Sequence, residues 1–217
     1  MALPTTSPTP VYLELGPKKV FACSAAWPGW CRVGGSEELA LDALMTYVPR
    51  YRVIAARAGL EFDPGEPAVV ERVRGNRTTD FGAPAAVAAL DREAVGEEEA
   101  ARAVALIRAA WEVLGEVAAA SPQDLRKGPR GGGRDRDKIV AHVVEAERAY
   151  ARKIGVSYPP LRDEGALPAM RRDITDVLGR PSDGQPHGEK GWPARYAARR
   201  IAWHVIDHIW EIEDRRE

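Results

Sequence analysis

Short runs of β-formers separated by turn residues fill the first third of the chain, and apolar positions spaced three or four apart fill the rest. Residues 11–15 (VYLEL) alternate, Gly16-Pro17 follows, and VFACSA resumes from Val20, a hairpin pattern. Trp27-Pro28-Gly29-Trp30 marks a turn, and CRV predicts a third short strand that Gly34-Gly35 breaks. Ser36 with Glu37 and Glu38 predicts a helix start. The serine caps free amides, and the carboxylates sit where the helix dipole favours them. Ala40, Leu41, Leu44, Met45 and Val48 supply its apolar stripe. Pro49 kinks or ends this helix, RYRVIAARAG resumes it, and Gly59 stops it. PAVVERV (67–73) predicts a fourth strand. The order β-β-β-α-β predicts an α+β class, and residues 1–10, rich in Thr, Ser and Pro, predict a loose tail.

Residues 74–94 read as a connector, and a boundary near residue 90 divides the chain into units at 1–90 and 91–217. Four helical stretches follow, at about 97–120, from KIVAHVVEAERAY to Gly155, from ALPAMRRDITDVL to Gly179, and from Pro193 onward. Four helices with a long last member predict a bundle. The loop 121–137 is rich in glycine and basic residues (Arg126, Lys127, Arg130, Arg134, Arg136) and lacks P-loop spacing, so it reads as a solvated loop.

The formal net charge is −1, from 31 basic and 32 acidic residues, which argues against nucleic acid or an anionic membrane as partner. No apolar run reaches membrane-spanning length, and the first residues do not form a secretory signal. Cys23 and Cys31, eight apart, match no disulfide framework and read as small core residues, so a cytoplasmic location is expected.

The candidate chemistry lies in the histidines. His204 and His208 are one turn apart on one helix face within IAWHVIDHIWEI, which is apolar nearly all round. His142 shares a stripe with Ile139 and Ala146 on the second bundle helix. Imidazoles on buried stripes need partners, and one divalent metal, zinc or nickel first, satisfies all three. Three protein nitrogens leave a coordination position open, as in catalytic sites. Glu145, three residues after His142, is the candidate general base, and Glu211 has a lesser claim of the same kind. Asp207 points away from His208 and reads as an ion-pair partner, while His187 reads as a loop histidine.

With His142 in AHVVEAERAY and the pair in AWHVIDHIWE, residues 95–215 resemble the DinB/YfiT-like metalloprotein superfamily. The resemblance implies an up-down four-helix bundle, a triad made of His142, His204 and His208, and a thiol-dependent S-transferase or hydrolase that takes a low-molecular-weight thiol. The stretch from Val11 to Tyr51, with Pro28-Gly29, Gly35, Ser36, Glu37, Glu38 and Ala40 in matching places, resembles a HicB-type antitoxin domain. That resemblance implies a protein partner docking on residues 11–73. The expectation is therefore a metal-dependent enzyme acting on a small-molecule substrate, with a homodimer compatible with its Trp-rich helices. The alternative is a noncatalytic interaction protein whose metal is structural.

Overall fold

The computed structural model describes residues 7–128 and 132–216; the first six residues of the expected tail, Arg130 and its two neighbours lie outside it. Strands β1 (Thr9–Leu15), β2 (Val20–Ser24), β3 (Cys31–Gly34) and β4 (Pro67–Arg74) form one sheet in the order β3-β2-β1-β4. The first three strands are antiparallel neighbours, and β4 joins β1 in parallel after a crossover. That crossover carries α1 (Glu37–Thr46) and α2 (Val48–Arg57). The Ser36 side chain accepts from the Leu39 amide, as its cap position requires. Pro49 sits in the first turn of α2, so the expected break falls at Tyr47. The connector contains one helix that the pattern did not predict, α3 (Arg77–Phe81), capped by Asn76. The class is mixed α+β.

The central strands β1 and β2 are covered on both faces, which explains why β2 reads as a continuous apolar run, while β4 at the edge stays partly exposed. Val11, Leu13 and Ala22 belong to the main core with Leu44, Tyr51 and Ile54 of α1 and α2. Tyr12, Phe21, Cys23 and Cys31 point the other way, against Trp203 of the last helix. Cys23 and Cys31 are directly opposed across β2 and β3, with their sulfur atoms 2.7 Å apart.

The second half contains α4 (Glu97–Ala119), α5 (Arg136–Ala151), α6 (Ala166–Leu178) and α7 (Ala194–Arg215). The resemblance implies an up-down bundle, and in the structure the two middle helices share one direction. Arg136 bonds the Ser121 carbonyl and Trp111 bonds Glu147, so α5 runs antiparallel to α4. Gly179 lies against Val104 and Arg108 bonds Thr175, so α6 also runs antiparallel to α4 and hence parallel to α5. The reason is the connector 155–165, long enough when extended (roughly 3.3 Å per residue) to return the length of α5 at about 1.5 Å per residue. Residue 90 falls in a 3-10 turn, Ala89–Arg92, between the sheet and α4.

Helix α7 is the centre of the molecule: fifteen of its residues, among them Ala194 and Ile212, are buried. The sheet layer is fastened to it by charge. Arg199 is buried against Asp91 at 2.8 and 2.5 Å and also bonds the Tyr12 hydroxyl. Arg32 of β3 pairs with Asp207 at 3.1 Å, and Arg50 of α2 with Glu213 and Asp214. The Trp27–Trp30 turn lies on the same helix. Gly29, at φ +89°, comes so close that a Cβ there would be 2.6 Å from Ile206 Cδ1.

Candidate metal centre

The antiparallel packing of α5 on α7 brings the three candidate histidines together. The His142 ring lies 5.1 Å from both His204 and His208, centroid to centroid, and the latter two are 4.7 Å apart. One ligating atom from each residue can be chosen so that all lie within 4.8 Å of one another. Three imidazoles this close can hold a metal ion.

The rings differ in environment. His204 is 7% exposed, and burial, reinforced by the charges of His208 and Arg200, pushes its pKa down to about 2. His142 is half-buried and is also held below the usual imidazole range, by burial and then by Arg134. The deeply buried stripe of α5 is Ile139, Val143, Glu147 and Ala151, so His142 stands beside the core stripe rather than within it. That offset leaves the cluster accessible from one side.

Two observations test the fit to a metal. The His204 Nδ1 atom is buried and has no hydrogen-bond partner, a costly state for a nitrogen lone pair or N–H. His208 is oriented by a carboxylate: its Nδ1–H donates to Glu211 Oε2 at 2.7 Å, which leaves the Nε2 lone pair free to ligate. Arg215 holds the other Glu211 oxygen at 2.7 Å. Burial works to raise the Glu211 pKa, but its bonds to His208 and Arg215 prevail and keep it below the usual carboxylate range. The donor set and its support fit a divalent ion.

The other candidates fall elsewhere. Glu145 is 55% exposed on its side chain and pairs with Arg148 at 2.8 Å, outside the histidine cluster. Asp207 is the ion-pair partner of Arg32. His187 is exposed in the loop between α6 and α7 and does not join the cluster. Of the loop cations, Lys127 pairs with Asp135, Arg126 bonds the Asp214 carbonyl, and Arg134 carries its charge to His142 and His204. Arg200 is the residue that the sequence reading missed. It lies four residues before His204, so the spacing that selects His208 selects it too.

Comparison with protein-family models, with curated proteins and with solved structures finds no match for this chain. Among the described residues no helix is long and apolar enough to cross a membrane.

Proposed function

We propose that this protein is a divalent-metal-dependent enzyme of the DinB/YfiT-like kind, of thiol S-transferase or hydrolase type, with zinc or nickel held by His142, His204 and His208. The observation that carries this reading is the convergence of three imidazoles, two on a buried helix and one at its accessible edge. A divalent ion with three protein ligands would supply a Lewis acid with an open position, lowering the pKa of a thiol or water.

The chain's own residues set the conditions. Glu211 fixes the tautomer of His208 and supplies negative charge beside it. Burial keeps His204 neutral, the form that ligates. The rings of Trp203 and Tyr150 flank His204. Glu145, turned to solvent, is too far engaged with Arg148 to serve as base without a rotamer change. Glu211 is the nearer carboxylate.

The test is metal content per chain by elemental mass spectrometry, on untagged protein, for wild type and for His142→Ala, His204→Ala and His208→Ala. Near one equivalent in wild type and loss in all three variants is the expected result. A wild type that takes up neither zinc nor nickel overturns the reading.

A further inference from the structure

Arg200 poses a problem that the metal alone does not solve. The residue is 91% buried, being 9% exposed, and its Nη1 has no hydrogen-bond partner. Among the described residues no carboxylate pairs with it, whereas its neighbour Arg199 is fully matched by Asp91. What surrounds the guanidinium is aromatic: the Trp203 ring centroid is 4.6 Å from its Cζ and that of Tyr150 is 5.3 Å away. Cation–π contact offsets part of the desolvation of a cation, but it supplies no hydrogen-bond acceptor. A buried, unpaired charge of this kind persists where something else completes it.

Its position says what that is. Arg200 is one turn before His204 on α7, about 6 Å along the helix axis. Tyr150, two turns after His142 on α5, faces both: its ring is 5.6 Å from His204 and lies beneath the guanidinium. The α5–α7 seam thus carries, in order, the three histidines, then Tyr150 and Arg200. We propose that Arg200 binds the carboxylate of a small organic acid whose reacting end lies at the three-histidine centre. This rests on the metal reading for the placement of the reacting end. Arg200 is a buried cation without a matching anion, while Arg199 is neutralised by Asp91 and Arg134 lies exposed to solvent, so the buried end of the seam suits a monoanion. The planar guanidinium offers a carboxylate two parallel donors. The aromatic walls of Tyr150, Trp192 and Trp203 suit the acid's apolar portion.

The test uses the full chain loaded with cobalt(II), whose absorption reports thiol binding, titrated with 3-mercaptopropionate and with neutral 2-mercaptoethanol. Wild type is expected to prefer the acid by about tenfold or more, the size of one charge-assisted hydrogen bond. Arg200→Gln should erase that preference while cobalt stoichiometry and 2-mercaptoethanol affinity stay as in wild type, and Arg200→Lys should restore part of it. Equal affinities for the two thiols in wild type overturn the proposal, whether or not the variants fold. A preference that survives in Arg200→Gln overturns it too. Failure of wild type to bind cobalt instead counts against the metal reading. In that case propionate is titrated into the metal-free chain by calorimetry. Binding that Arg200→Gln weakens supports the carboxylate site, and no binding in wild type overturns it.

Discussion

His208 donates from Nδ1 to Glu211 Oε2 at 2.7 Å, one helical turn away on α7. The bond assigns the ring's tautomer and leaves Nε2 as the nitrogen free to ligate. Arg215 braces the same carboxylate from the following turn. A histidine ligand supported in this way binds its metal more tightly than an unsupported one.

Glu211→Gln should therefore weaken metal affinity by about 10–100-fold without removing a ligand. Competition against a chromophoric chelator measures this. Glu145→Gln is the contrast: its carboxylate faces solvent and Arg148, so the affinity should stay as in wild type. Equal losses in both variants would contradict the assignment of Glu211.

The Arg199–Asp91 pair ties α7 to the 3-10 turn Ala89–Arg92 in a buried site, and Arg199 also reaches the sheet through Tyr12. Asp91→Ala leaves Arg199 buried and unpaired and should cost about 3–5 kcal/mol in urea unfolding. The double variant Asp91→Ala with Arg199→Met should be less destabilised than Asp91→Ala alone, because it removes the stranded charge. A double variant that is less stable than the single would refute this account.

Gly29 combines a left-handed φ of +89° with the Ile206 and Ala202 side chains at its back. Gly29→Ala should lose about 1–3 kcal/mol from backbone strain, with a further cost from the clash. Thermal unfolding checks the loss. Gly59, also at positive φ but with open space around it, isolates the strain component: Gly59→Ala should cost less.

Burial raises the pKa of Tyr196 to about 12, and those of Tyr12 and Tyr150 upward as well. An unfolded tyrosine ionises at about 10. The folded state therefore binds more protons between these values, so this stability is complete below pH 10 and is lost as pH rises toward 12. Phenolate absorbance from the buried tyrosines should appear together with the loss of helical circular dichroism. Full phenolate signal from a still-folded chain would contradict the burial of these rings.

Most of the elements, though not α3, and the chemistry on offer are legible in the residues themselves. Ser36 and its two glutamates announce α1, Pro193 announces α7, and the apolar surroundings of His204 and His208 reveal a helix buried on most sides. These signals are local, arising from capping, backbone restriction and a period of 3.6 residues. Tertiary structure alone decided which partners meet. That α6 runs parallel to α5 depends on the path of a connector with no periodic pattern. That Glu211 and not Glu145 supports the cluster depends on how α5 is rotated against α7, which places Glu145 in solvent. The isolation of Arg200 is visible only when every neighbour is in place, because a sequence shows that a charge exists but not whether an opposite one has come to meet it.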